Sequence, residues 1–176
     1  MASPPANRDL PPNAPDPRVR PTLTVSSGVV SATFTWTTDR WRHSLCIDGR
    51  EFAESVEDRG DGRDSAWPAS PPLVELSQLE LAHGQAVLGV GLAGRSHFSA
   101  SVAPHPSEPD TLVFEMACRI KDAPGWLGST YVVGGRPLRI TAPDGCDDLP
   151  ATIRWSYSVG RGGIMPISPA SLGGAR

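Results

Sequence analysis

Short stretches of this chain alternate between hydrophobic and polar residues, and turn-forming residues separate them. In the clearest stretch, residues 112–120, every second residue is apolar, while Glu115 and Arg119 stand on the opposite side. A period of two is typical of a β-strand with one buried face. Residues 86–120 are therefore expected to supply central strands of a sheet. The pattern recurs, in part or throughout, over residues 22–26, 30–36, 41–47, 51–57, 86–102, 126–133, 136–140 and 151–159.

These stretches predict about eight to ten short strands, with no helical pattern between consecutive strands. Parallel strands need long, usually helical, crossovers, so the chain is expected to be all-β and to fold as an antiparallel β-sandwich. Residues 73–82 fit both a strand and a short helical turn, and the sequence leaves them open.

Proline and glycine set the limits of the predicted domain. The chain has 176 residues, with 19 prolines and 18 glycines, which leaves little room for long helices. Residues 1–21 are rich in proline and nearly free of apolar side chains, which predicts a disordered Pro-rich N-terminal tail. The β-sandwich domain is expected over residues 22–160, and a flexible, glycine-rich C-terminal tail over residues 161–176.

Charge and cysteine content argue against several kinds of partner. The net charge is −3, without a basic cluster, so nucleic acid is not expected to bind. No run of eighteen apolar residues exists, so no membrane-spanning helix is expected. The three cysteines lack paired spacing, which predicts neither a disulfide framework nor a zinc site. These absences favour a soluble, cytoplasmic protein.

Some side chains that carry a polar or reactive group fall on faces that the alternation predicts to be buried. His43 shares its face with Trp41 and Leu45, so we expect a partly buried ring satisfied by a hydrogen bond rather than a metal ligand. Cys118 lies on the apolar face of residues 112–120, where a thiol acts as a small hydrophobe with a raised pKa. Trp36 and Trp155 are expected to pack in the core.

Gly89, Gly91 and Gly94 match the G-x-G-x-x-G fingerprint of dinucleotide-binding proteins. That motif works only where a helix follows, because the helix N-terminus binds the pyrophosphate. Here the residues that follow continue with strand spacing. The glycines are therefore expected to let a strand bulge, bend or pack against another backbone.

Asp58, Asp61 and Asp64 alternate with glycines in a long loop and resemble a calcium-binding turn. Carboxylate oxygens on a flexible turn suit this hard cation, although the glutamate that would complete an EF-hand is replaced by Ala69. A second acidic loop, residues 144–148, has the same character. Calcium is the one cofactor that the sequence suggests, and solvated turn aspartates are the alternative.

Two loop tryptophans and a kinked strand end supply the candidate binding residues. Trp67 and Trp126 stand in loop sequence, where an indole ring can bind a sugar or peptide or instead close the end of a sandwich. Arg95 and His97 follow Gly94, where a bulge could expose them. A ligand site formed by Trp67, Arg95, His97 and Trp126 is therefore predicted.

Several short segments resemble an uncharacterised family of bacterial proteins of similar size. These are residues 39–43, 67–72, 91–97, 117–119 and 127–131. The resemblance spans roughly residues 33–131. It implies no activity, cofactor or site residue.

The sequence thus supports a non-catalytic β-sandwich that binds a small molecule, a carbohydrate or a protein through its loops. No catalytic residue is predicted, because no nucleophile motif is present. One alternative is a hydrolase assembled around His97, and another is a structural or oligomerisation module. The sequence does not indicate an oligomeric state.

Overall fold

The computed structural model describes residues 20–57, 67–143 and 148–168, and these residues form twelve β-strands without a helix. The strands are β1 (Leu23–Ser27), β2 (Val30–Thr37), β3 (Arg40–Ile47), β4 (Arg50–Ser55), β5 (Leu73–Leu81), β6 (Gly84–Ala93), β7 (Ser96–Pro104), β8 (Leu112–Ile120), β9 (Gly128–Val133), β10 (Arg136–Thr141), β11 (Ala151–Gly160) and β12 (Gly163–Ile167).

The strands form two antiparallel sheets that pack face to face. The first sheet has the order β1-β2-β3-β4-β9-β10, and the second has the order β12-β11-β8-β7-β6-β5. Their inward side chains form one hydrophobic core, so the molecule is a β-sandwich, as predicted. Strands β6, β7 and β8 are interior strands of the second sheet, which confirms the central position expected for residues 86–120.

Two strands lie where the alternation did not predict them. Residues 73–82, which the sequence left open, form edge strand β5, and most of its side chains are exposed. Strand β12 lies inside residues 161–176, which were predicted to be a flexible tail, because the chain turns back at residues 161–162 and pairs with β11 from Gly163 onward. The sandwich therefore has twelve strands rather than eight to ten. The predicted N-terminal tail, residues 1–19 in particular, lies outside the described residues.

The core follows the period-two pattern. From β8, the inward residues Leu112, Phe114, Cys118 and Ile120 are almost completely buried, and they face side chains of the first sheet such as Phe34. Fully burying a side chain of this size stabilises the fold by about 1.5–3 kcal/mol. Burial also raises the pKa of the Cys118 thiol to about 12, so it acts as a hydrophobe, as expected.

A chain of polar side chains crosses the core between the sheets. The His43 Nε2 atom lies 2.7 Å from the Tyr131 hydroxyl, which lies 2.7 Å from the Tyr157 hydroxyl. Phe114 stacks on both the His43 and Tyr157 rings. Burial lowers the pKa of His43 to about 3, so the ring is neutral, and burial raises the pKa of both tyrosines. His43 is thus buried and hydrogen-bonded, as predicted.

A buried carboxylate lies next to this chain. Glu57 accepts a hydrogen bond of 2.5 Å from the Ser55 hydroxyl, and one of its oxygens lies 3.1 Å from Arg42 Nε. The Ser55 hydroxyl in turn accepts a hydrogen bond from the backbone N–H of His43. Burial raises the pKa of Glu57 to about 7, and the hydrogen bond from Ser55 and the positive charge of Arg42 only partly oppose that shift.

Asp110 and Arg161 link four connecting segments at one end of the sandwich. Asp110 accepts hydrogen bonds from the backbone N–H of Val29 and from Arg161 Nε, both at 3.0 Å. Arg161 also contacts Asp48 at 3.5 Å. The turns after β1, β3 and β11 are thereby joined to the loop after β7.

We expect Gly28→Ala to lower the free energy of unfolding by about 2–4 kcal/mol, more than Gly134→Ala does. Both glycines have φ +55°, so an alanine is strained equally at each. An added Cβ at Gly28 would collide with the Asp110 carboxylate, whose Cγ would lie 3.0 Å away, whereas nothing lies within 4 Å at Gly134. Urea unfolding of the two variants measures the difference. Equal losses would show that the Asp110 contact does not limit position 28.

Candidate functional site

The two loop tryptophans do not lie on one exposed surface. Trp67 is 8% exposed, belongs to the core, and packs edge-on against Phe98 with the ring centroids 6.3 Å apart. Trp126 is half-buried over Gly128, and the guanidinium of Arg139 lies 5.9 Å from its ring. Trp67 thus closes the sandwich, which was the alternative role for a loop tryptophan, and it presents little surface for stacking.

Arg95 and His97 are exposed, but they differ in their surroundings. Arg95 forms an ion pair with Asp122, with a second contact of 3.2 Å, and its side chain is 70% exposed. His97 lies on the outer face of the second sheet, because the next residue, Phe98, points into the core. The structure therefore separates Trp67 from His97 by the thickness of a sheet. Of the four predicted binding residues, His97 alone lines the groove described below.

The predicted calcium ligands Asp58, Asp61 and Asp64 lie outside the described residues, as do Asp144 and Asp147. Within residues 20–57, 67–143 and 148–168, no group of three or more His, Cys, Asp or Glu side chains is arranged to hold a metal ion.

The outer face of the second sheet carries an ordered grid of side chains. Strand pairing places Leu92, His97, Arg119 and Thr152 in one row across strands β6, β7, β8 and β11. The neighbouring rows follow the same four strands in the same order. They are Val90, Ser99, Ala117 and Arg154, and then Leu88, Ser101, Glu115 and Ser156.

This grid forms a depression that we call the outer-face groove, with small residues Ser99 and Ala117 at its centre. It has two lobes, of about 860 Å³ and 500 Å³, which share Val90, Ser99, Ala117 and Arg154. Small side chains keep the floor low, while larger ones rise on either side of it. Residues 141, 143, 167 and 168 line the far end of the larger lobe.

One wall of the outer-face groove is apolar. Leu88, Val90 and Leu92 follow one another on β6 and are 40%, 49% and 56% exposed. Side chains two apart on a strand share a face, so the three form a continuous exposed stripe. Such a stripe beside a depression is typical of a surface that binds another molecule.

The opposite wall is polar and carries positive charge. Arg119 and Arg154 are exposed on β8 and β11, and Thr152 lies directly opposite Arg119. Among the described residues, neither arginine has a hydrogen-bonding or ion-pairing partner. The groove also contains two carboxylates, Glu75 in the smaller lobe and Glu115 in the larger one.

The groove does not assemble a catalytic triad from the described residues. His97 lies beside Arg119 and Leu92 in the grid, and no hydrogen bond joins it to a described serine or carboxylate. A general base needs a partner that orients its ring and a nucleophile within reach. The groove offers apolar contact on one side and guanidinium hydrogen-bond donors on the other.

Comparisons with known proteins leave the fold and the groove as the basis for any functional argument. No family model, no curated protein and no solved structure matches the chain. In the described part of the chain, no helix is long and apolar enough to cross a membrane.

The groove was not predicted from the sequence, although the alternation did predict the outward faces of two of its strands. The alternation correctly placed Glu115 and Arg119 on the same face of β8. It also put Arg154 on the polar face of its strand. What it lacked was the strand order, since β8 and β11 are neighbours in space but are separated in the chain by two strands of the other sheet.

Proposed function

We propose that this protein is a non-catalytic binding module that holds a small molecule in the outer-face groove. The observation that carries the proposal is the exposed stripe of Leu88, Val90 and Leu92 along one wall of a concave surface. Each large apolar side chain left in water forgoes stabilisation that contact with a ligand would recover. The volume of the larger lobe, about 860 Å³, lies within the range of small-molecule sites.

Two features favour a small apolar molecule over the other candidate partners. Sugar-binding surfaces use flat aromatic side chains, and no Trp, Tyr or Phe of the described residues points outward from the second sheet. A protein partner would be expected on a flatter and larger patch, whereas the apolar residues here line a depression.

The proposal can be tested with Nile red, a neutral apolar dye whose fluorescence rises when it leaves water. We expect saturable binding to the full-length protein. Ala117→Phe, which fills the centre of the groove, should weaken dye binding by about tenfold or more, because the ring would occupy the space that the ligand needs.

Val113→Phe is the matched control. Val113 is on the same strand and the same outer face as Ala117, but it does not line either lobe. It should leave dye binding unchanged. Absence of saturable binding, or an equal loss in both variants, would overturn the proposal. A doubled mass in solution, abolished by Ala117→Phe, would instead assign the groove to a second copy of the chain.

A further inference from the structure

We infer that the ligand of the outer-face groove is an amphiphilic carboxylate. Its carboxylate would be held by Arg119, Thr152 and Arg154, and its apolar body would lie toward Leu88 and Val90. This inference rests on the proposed function, and it adds the chemical class of the ligand and its orientation in the groove.

The polar end of the groove, which we call the anion corner, consists of Arg119, Thr152 and Arg154. Thr152 lies directly opposite Arg119 on the neighbouring strand, and Arg154 is two residues further along on the same face. Directly paired side chains are about 5 Å apart at Cβ and diagonal ones about 7–8 Å, within reach of long arginine side chains. Both guanidinium groups and the hydroxyl can therefore converge on one small anion.

The two arginines of the anion corner have no hydrogen-bonding or ion-pairing partner among the described residues. Two other exposed arginines, Arg95 and Arg161, are paired with aspartates. Arg119 and Arg154 have no such partner among the described residues. Guanidinium groups favour carboxylate and phosphate because both acceptors match their planar fork of donors.

The two carboxylates of the groove, Glu75 and Glu115, set the orientation of the ligand. Glu115 is four residues from Arg119 on β8, about 13 Å away at Cα, and lies diagonally across from Arg154 at about 7–8 Å, so it repels a ligand carboxylate from that side of Arg154 and toward Arg119 and Thr152. Glu75 lies three strands away from Arg119, a separation of about 14 Å. A ligand carboxylate is repelled from both of these positions and attracted to the anion corner. The apolar stripe is left to contact the rest of the molecule.

A carboxylate is favoured over a phosphate because of the apolar wall and the charge of the groove. The two lobes together contain two arginines, Arg119 and Arg154, and two glutamates, Glu75 and Glu115, whose formal charges balance. A singly charged head group needs less positive charge than a doubly charged phosphate does. The long apolar stripe then supplies binding free energy that depends on the ligand's hydrocarbon part.

The test compares three probes of equal chain length, namely decanoate and decylamine below their micelle-forming concentrations and decan-1-ol below its solubility limit. Each probe competes with Nile red for the full-length protein. We expect decanoate to displace the dye at concentrations about tenfold lower than decan-1-ol, and decylamine to be the weakest competitor. Raising the ionic strength should weaken decanoate and leave decan-1-ol unchanged.

The variant Arg119→Gln with Arg154→Gln should remove the preference for decanoate, so that decanoate and decan-1-ol displace the dye from the variant at similar concentrations. Arg136→Gln, an exposed arginine of β10 in the first sheet, is the control and should keep the preference. Equal displacement by decanoate and decan-1-ol in the unmodified protein would overturn the inference but leave the proposed function standing. A preference for decylamine would do the same and would assign the polar contact to Glu75 or Glu115. Failure of Nile red to bind would reject the proposed function itself.

Discussion

Gly91→Ala should lower the free energy of unfolding by more than about 3 kcal/mol, and Gly89→Ala, two residues earlier on the same strand, by about 1 kcal/mol. A Cβ at Gly91 would fall on the carbonyl oxygen of Pro72, with the carbonyl carbon 2.7 Å away and Leu73 Cα at 3.2 Å. All three are backbone atoms at the start of β5. They can yield only if that strand moves away from β6.

Gly89 is the matched comparison, because an added Cβ there would meet side-chain atoms, whereas one at Gly91 would meet backbone atoms. Its added Cβ would meet the methyl ends of Leu76 at 2.7 Å and of Leu73 at 3.0 Å. These are flexible side-chain ends that can turn aside. Neither glycine has a positive φ, so alanine suits the backbone at both positions. Urea denaturation gives the two unfolding free energies, and equal values would show that the approach of β5 to β6 is not limited by Gly91.

The same two glycines belong to the motif that resembled a dinucleotide-binding fingerprint. The structure confirms the other interpretation, that a strand glycine allows another backbone to approach closely. Position 91 receives the Pro72 backbone, and the chain continues into β7 rather than into a helix. The strand spacing of Phe98 and Val102 after the motif was enough to distinguish strand glycines from a dinucleotide-binding motif.

Alternation predicted the strands well wherever one face is buried and the other is not. It was strongest in β8 and β11, whose inward residues belong to the core. It left β5 open and did not predict β12, and these two strands together have one buried residue, Leu73. Edge position alone is not the reason, because β1 and β10 are also edge strands and were predicted. When neither face is fully buried, no period is imposed on the sequence, and the strand cannot be recognised from its pattern.

Loop residues were harder to place, and Trp67 shows the reason. Its segment is held across the sandwich by hydrogen bonds to residues distant in the chain. Ala69 N–H donates to the Glu57 carbonyl, and the Ser70 hydroxyl both donates to and accepts from the Thr130 backbone. A loop fixed by contacts sixty residues apart carries no local signal of being buried.

Stability should be nearly independent of pH between about 4.5 and 6.5 and should fall on either side, because two buried groups act in opposite directions. The pKa of His43 is about 3 in the folded protein and 6.5 ordinarily. The unfolded chain therefore takes up a proton first, and stability is lost as the pH falls from about 6.5 toward 3. The shift corresponds to about 5 kcal/mol in total.

Glu57 has the opposite effect. Its pKa is about 7 in the folded protein and 4.5 ordinarily, so the unfolded chain releases its proton first as the pH rises. Stability is therefore lost between about pH 4.5 and 7, by about 3 kcal/mol in total. Over the range in which the two windows overlap, the gain from deprotonating His43 in the unfolded chain offsets the loss from Glu57.

Single substitutions should separate the two effects. Glu57→Gln should give stability that rises from pH 4.5 to 6.5 and then stays level to pH 8, since only the His43 effect remains. His43→Gln should give stability that falls steadily from pH 4.5 to 7. The slope of unfolding free energy against pH is the measured quantity, so an overall loss of stability in either variant does not obscure the result.

Glu54→Gln is the matched control, because Glu54 is an exposed carboxylate on β4, three residues before Glu57. It should leave the pH profile unchanged. The aspartates that form ion pairs, Asp39, Asp110 and Asp122, have pKa values lowered from 3.8 and so act below the range compared. A Glu57→Gln profile that still falls between pH 6.5 and 7 would show that another group carries the loss.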